Sequence, residues 1–136
     1  MRGVKAERKV HAVLDSSAVL AYLKQEQGYT LVREAIQKGA SISTVNFSEV
    51  LTKVVEKGAD SDKIATQLLA LGLVPQPFTE ADARQAAQIY PATRSHGLSL
   101  GDRACLSLAL RLDIPALTAD KIWAKLGHPF RIVILR

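Results

Sequence analysis

Residues 10–23 read VHAVLDSSAVLAYL, and the fold follows from how that stretch divides. Val10 to Leu14 is a short apolar, β-branched run that stops at Asp15, as a buried strand would. Ser16 and Ser17 then offer helix N-cap hydroxyls ahead of apolar residues at helical spacing through Tyr22 and Leu23. The reading is strand, turn, helix.

Working outward, the same alternation returns. Residues 29–38 space Leu31, Val32, Ala35 and Ile36 at helical intervals and end at Gly39, a C-cap residue. Ala40 to Ser43 reads as a strand, and Asn46 to Lys57 as a helix closed by Gly58. Residues 61–71 form an apolar helix ended by Gly72, and Leu73–Val74 a brief strand stopped by Pro75. Residues 79–90 open with a Thr cap and first-turn acids, and Pro91 is expected to end that helix. Asp102 to Leu112 is apolar on most faces, hence a buried helix. Pro115 to Leu117 is a strand, 121–125 a short helix and 131–135 a last strand. Repeated β-α units with β-branched strands imply an α/β domain, a mostly parallel sheet with helices on both faces.

Length and composition agree with one domain. The chain has 136 residues, 48% hydrophobic and 23% charged, enough for a proper core and unlike a disordered composition. The longest uncharged stretch, Ile64 to Thr79, carries glutamines and two prolines and falls short of the roughly 20 apolar residues that span a bilayer. Asp15 interrupts the first apolar run before it could serve as a signal-peptide core, so a cytoplasmic protein is expected. The single cysteine, Cys105, excludes an intramolecular disulfide and a cysteine-built zinc site, and its apolar helix predicts an inert, buried thiol. Net charge is +5, concentrated in residues 1–9, a basic tail, and residues 121–136. That balance favours a polyanionic partner such as nucleic acid.

In an open α/β sheet, ligands bind in the crevice at the carboxyl ends of the strands. Asp15 follows the first strand and Asp120 follows Pro115–Leu117, while Glu49 and Asp102 lie near the starts of helices that begin at that same edge. Four converging carboxylates repel one another and take up protons unless a cation neutralises them, and hard oxygen donors select Mg²⁺ or Mn²⁺. Each acid also has a purely structural use. Asp15 can shape its turn; Asp102 can close a capping box with Ser99; Asp120 can cap residues 121–125; Glu49 can complement a helix dipole.

The order VLDSSAVLAYL, NFSEV, GLSLGDRACLSLA and LTADKIW resembles the PIN domain, specifically the VapC-like toxins of bacterial toxin-antitoxin pairs, from about Val10 to Leu135. The resemblance implies a three-layer α/β/α sandwich over residues 10–136, with a mostly parallel sheet of about five strands. It implies a metal-dependent endoribonuclease whose acidic quartet is Asp15, Glu49, Asp102 and Asp120, supported by Thr118 and Asn46. Asp15, Asp102 and Asp120 would be the principal ligands of one or two Mg²⁺ or Mn²⁺ ions, Glu49 ligating directly or through water. Cleavage would leave a 5′-phosphate and a 3′-hydroxyl. Where some relatives carry a further acid after the fourth, this chain has Lys121, Ile122 and Trp123. The implied partners are RNA, a small antitoxin and a second copy in a homodimer. A groove between residues 16–24 and 46–57 would suit an amphipathic antitoxin helix.

Arg103 and Arg94 flank the third acid and are candidates for neutralising RNA phosphates. His11, His96 and His128 show no metal-ligand spacing, and Trp123 reads as core. Two other function classes stay open: a non-catalytic RNA-binding or scaffold protein of PIN-like fold, and a phosphoacceptor or phosphohydrolase on a doubly wound fold, with Asp15 as the aspartate after the first strand. No glycine-rich phosphate loop or Gly-x-Ser-x-Gly elbow is present.

Overall fold

A computed structural model of the chain describes residues 9–136. Of the expected basic tail, residues 1–8 lie outside the described residues. The five strands β1 (Ala12–Leu14), β2 (Ala40–Ser43), β3 (Leu73–Gln76), β4 (Ala116–Thr118) and β5 (Ile132–Ile134) form one sheet. Their order is β3-β2-β1-β4-β5 and every pairing is parallel, so the mostly parallel sheet is wholly so. The described helices are α1 (Ser16–Leu23), α2 (Tyr29–Gly39), α3 (Thr44–Glu56), α4 (Ser61–Leu71), α5 (Glu80–Gln88), α6 (Tyr90–Thr93) and α7 (Leu100–Leu112). Two 3₁₀ turns, Arg94–His96 and Lys121–Lys125, complete the elements.

Period-two alternation along the strands divides the interior into two cores. Leu14 and Leu117 point to one face, where they meet Val19 of α1, Ile36 of α2, Val50 of α3 and Leu68 of α4. Val13, Ala116, Ile132 and Ile134 point to the other, against Cys105, Leu106 and Leu108 of α7 and the fully buried Trp123. Both faces of the sheet are therefore covered at its central strands, which explains why those strands read as continuous apolar runs, while Val133 of the edge strand β5 stays exposed. Trp123 and Cys105 are core residues, as their apolar neighbours suggested.

Strand order sets where a site can form. The chain winds outward from β1 through β2 to β3, then returns across the opposite face to β4 and β5. The winding direction reverses between β1 and β4, and the crevice at such a switch point opens at the carboxyl ends of those two strands. Asp15 follows β1 directly, and Asp120 follows β4 by one residue.

Several local expectations are corrected. Asp15, not Ser16 or Ser17, is the N-cap of α1, its carboxylate accepting from the Ala18 amide; this releases the serine hydroxyls for other partners. α3 begins at Thr44 because Ser43 caps it, placing Asn46 inside the first turn. Pro75 lies within β3 rather than ending it; β3 is an edge strand, where a missing N–H can face away from the ladder. Pro91 opens α6 instead of merely stopping α5, since a proline in the first turn lacks only an N–H that has no helical partner. Residues 121–125 wind as 3₁₀ rather than α. Gly39 does end α2, at φ +128°, where a Cβ would collide with the Lys9 carbonyl oxygen.

Candidate acidic site at the sheet's switch point

Asp15 forms the floor. It is 3% exposed, held where the buried strand β1 passes into α1. The Ala18 amide donates to Oδ1 at 2.8 Å, the Thr118 hydroxyl to Oδ2 at 2.6 Å, and the Ser17 hydroxyl lies 2.8 and 2.9 Å from the two oxygens. Thr118 and Ser17 in turn accept from the backbone amides of Asp120 and Ala119, at 3.0 Å each. The loop after β4 is thus tied to the Asp15 carboxylate through two hydroxyls. Burial pushes the pKa of Asp15 up to about 6; its hydrogen bonds from Thr118, Ala18 and Ser17 oppose that rise, and the nearby charge of Asp102 adds to it.

Glu49 and Asp120 stand exposed at the rim, with Asp102 half-buried between. Glu49 Oε1 accepts from the Ser16 hydroxyl at 2.9 Å and from Asn46 Nδ2 at 3.0 Å. The same Asn46 amide donates to the Gly101 carbonyl at 2.9 Å, joining α3 to the start of α7, while its buried Oδ1 has no partner. Asp102 closes a capping box: its Oδ2 accepts from the Ser99 amide at 2.9 Å, and the Ser99 hydroxyl accepts from the Asp102 amide at 3.1 Å. Its pKa is raised, first by desolvation and then by the charges of Asp120 and Glu49, against the lowering effect of Ser99. Asp120 caps the 121–125 turn through Oδ1 and the Ile122 amide at 3.1 Å.

The structural and the chemical uses of these acids therefore coexist. Asp15, Asp102 and Asp120 each cap a helical element, yet Asp15 feels the charge of Asp102, and Asp102 the charges of Asp120 and Glu49. Glu49, Asp102 and Asp120 each use one oxygen for a neighbour, and the other makes no hydrogen bond among the described residues. Among the described residues, no group of three or more His, Cys, Asp or Glu side chains is close enough to hold a metal.

Arg103, expected beside RNA phosphates, is turned elsewhere. Its Nη1 donates to the Ala86 carbonyl of α5 at 2.9 Å and its guanidinium carbon lies 5.2 Å from the Tyr90 ring centroid. The cause is antiparallel packing of α5 on α7, which puts the end of α5 beside the first turn of α7. Arg94 is exposed in its 3₁₀ turn, which packs against the turn that follows Asp120. Ser16, Ser17 and Gly101 belong to the site and were not singled out as such from sequence. Their adjacency to Asp15 and Asp102 was the available signal, but both serines read as ordinary caps.

A concavity of about 670 Å³ lies on the sheet face beyond α2 and is lined by His11, Leu31, Lys38, Pro115, Leu117 and Val133, with none of the four acids. Where a groove was expected between residues 16–24 and 46–57, α1 packs on α3, and an open depression of about 360 Å³ runs along α3, lined by Thr44, Phe47, Leu51 and Val55. Another depression of about 270 Å³ lies between α1, α2 and α4, lined by Tyr22, Tyr29, Ile64 and Leu68. No described helix is long and apolar enough to cross a membrane.

This topology has relatives among solved structures. A toxin-antitoxin complex from Klebsiella pneumoniae matches with a TM-score of 0.72 at 17% identity, over 92% of this chain and 98% of that one. DNA-bound VapBC from Salmonella typhimurium matches with a TM-score of 0.72 at 12% identity, over 94% and 100%. VapC20 of Mycobacterium tuberculosis, a sarcin-ricin loop cleaving toxin, matches with a TM-score of 0.68 at 14% identity, over 85% and 95%. A comparison with curated proteins finds no match. At such identities the structures establish a common fold. The model of the PIN domain, by contrast, matches the sequence itself across residues 12–129, from the strand that delivers Asp15 past the loop that carries Asp120, and the chain belongs to the PIN-domain family.

Proposed function

We propose that this chain is a metal-dependent endoribonuclease, the toxin of a toxin-antitoxin pair, acting through Asp15, Glu49, Asp102 and Asp120. The observation that carries the reading is the gathering of four acids at one sheet edge, where desolvation first, and the charges of the neighbouring acids after it, raise the proton affinity of Asp15 and Asp102. An electrostatic arrangement of that kind is costly for a bare protein and favourable for a cation. The donor set fits Mg²⁺ or Mn²⁺: all ligands are oxygens, three carboxylates have one unused oxygen each, and Asn46 Oδ1 is buried without a partner. When bound, such an ion supplies an acidified water and shields phosphate charge.

The protein's own part is positioning. Thr118 and Ser17 hold Asp15 at the floor with its oxygens fixed; Asn46 and Ser16 hold Glu49 over α7. Asp15, Asp102 and Asp120 are assigned as principal ligands, with Glu49 ligating directly or through water. Glu49 and Asp120 at the solvent rim leave an open approach for a phosphodiester. The positive net charge favours an RNA partner, and the cytoplasm is the proposed site of action. The toxin-antitoxin complexes among the structural neighbours support a small antitoxin partner, and a homodimer is proposed from the family resemblance.

One observation favours the alternative, a non-catalytic RNA-binding or scaffold protein: no three of the acids gather closely as they stand. The deciding experiment incubates tRNAs and ribosomal RNA fragments with the protein, with and without Mg²⁺ or Mn²⁺, alongside Asp15→Asn and Asp102→Asn. Metal-dependent cleavage abolished by either substitution is the expected result. RNA binding without cleavage, equal in all three proteins, would establish the alternative.

A further inference from the structure

Two large apolar side chains stand exposed at the corner where α6 and the start of α7 meet: Tyr90, 47% exposed, and Leu100, 53% exposed. Leu100 lies one turn before Arg103 on the same flank of α7, and Arg103 lies across the Tyr90 ring, 5.2 Å from guanidinium carbon to centroid. Arg103 is itself anchored by its hydrogen bond to the Ala86 carbonyl. A tyrosine ring held by a cation and still about half exposed is an unusual thing to leave bare beside a polar site. It stands beside the first turn of α7, the turn that Asp102 closes with its capping box.

Cationic residues surround the same corner. Arg94 and His96 follow α6 by way of Thr93, and their 3₁₀ turn packs against the turn carrying Lys121 and Lys125 directly after Asp120. Arg94, Lys121 and Lys125 are exposed. Aromatic surface flanked by exposed cations is the combination that single-stranded nucleic acid recognises, bases stacking on the ring while the backbone follows the charge. A protein segment would need carboxylates for the cations as well as apolar side chains for the ring, whereas every nucleotide carries both a base and a phosphate.

We propose that Tyr90, fixed by Arg103 and extended by Leu100, is a base-stacking platform for an unpaired nucleotide beside the acidic site, with Arg94 and Lys121 holding the flanking phosphates. The proposal rests on the RNA-directed part of the functional reading and adds a preference for single-stranded over duplex substrate. Arg103 acts here as a positioning residue.

The test measures binding of a fluorescein-labelled oligoadenylate, single-stranded or annealed to its complement, to the metal-free full chain by anisotropy. Cleavage is thereby kept out of the readout. Tyr90→Ala is expected to weaken single-strand binding by roughly 5- to 100-fold, the range of one lost base stack, while Tyr90→Phe retains it. Tyr90→Ala should leave the slope of log affinity against log salt unchanged; Arg94→Ala or Lys121→Ala should reduce it by about 0.7 each. Tyr90→Leu, which keeps the bulk without the ring, should bind as weakly as Tyr90→Ala, and circular dichroism confirms that each variant is folded. Equal affinity of wild type and Tyr90→Ala, equal loss in Tyr90→Phe, or preference for the duplex overturns the proposal. Tyr90-dependent binding by a protein that cleaves no RNA would leave the platform standing and remove the nuclease reading; metal-dependent cleavage with Tyr90-independent binding would do the reverse.

Discussion

The Glu49 carboxylate rests against the backbone of Gly101, so closely that a Cβ on Gly101 would stand 2.8 Å from Glu49 Cδ. An added methyl at the second position of α7 would therefore meet only the movable end of a side chain on α3, while the Gly101 backbone itself is ordinary for a helix. Asn46 reinforces the seat by bridging Glu49 Oε1 and the Gly101 carbonyl.

Gly101→Ala should displace Glu49. Better helix propensity offsets the small cost of turning the exposed Glu49 carboxylate aside, so a net stability change within about 1 kcal/mol is expected. Titration with Mn²⁺ followed by electron paramagnetic resonance should show weaker binding. Adding Glu49→Asp, one methylene shorter, should relieve the clash, and a double-mutant cycle measured by denaturant unfolding should report favourable coupling.

The raised pKa of Asp15 makes the metal-free protein pH-sensitive. A carboxyl whose pKa is about 6 when folded and near 3.9 when unfolded contributes stability that is fully present below the unfolded value and lost as pH rises through 6. The loss amounts to about 3 kcal/mol, since Asp15 is almost fully buried. Asp15→Asn should lack this segment of the profile and be more stable than wild type above pH 7 in chelator. Urea unfolding of both proteins across that pH range checks it, and an identical pH dependence would refute it.

Asp82 has the opposite sign. Although burial acts to raise it, the paired hydrogen bonds from Arg111, at 2.8 and 3.1 Å, together with the Thr79 capping box, hold its pKa below the usual value. Its stability is present above the unfolded carboxyl pKa and lost as pH falls through the depressed folded one. Arg111→Met leaves a carboxylate that is 3% exposed without its cation, and a cost of roughly 2 kcal/mol is expected, less than for a fully buried pair because Arg111 is partly exposed. Thermal unfolding near neutral pH reads the loss, and the gap to wild type should narrow in acid.

Ser17→Ala removes a donor to Asp15 and leaves the Ala119 amide without its acceptor. A cost of about 1–2 kcal/mol is expected from the unpaired amide. Because Ser17 orients a proposed ligand, metal affinity should also fall, by roughly 10-fold or more, measured by calorimetric titration of Mn²⁺. Normal metal affinity in a destabilised variant would limit Ser17 to a structural role.

Much of this protein was legible in residues 10–23 and their echoes. Apolar runs ending at an acid or serine, followed by helical spacing, determine strand, cap and helix locally, and strands apolar on both faces require helices on both sides of a parallel sheet. From that alternation alone, Asp15 and Asp120 belong at the carboxyl edge, and the acid motifs place Glu49 and Asp102 beside them. Tertiary structure alone decided what each acid touches. Thr118 reaches Asp15 across 103 positions and Asn46 reaches Gly101 across 55, and no local periodicity encodes such partners. Arg103 shows the same limit: its neighbour in sequence is Asp102, but antiparallel packing of α5 on α7 delivers it to Ala86 and Tyr90. Sequence specifies which residues lie near an edge, because backbone period is local; the direction and partner of a side chain depend on which helices pack against it.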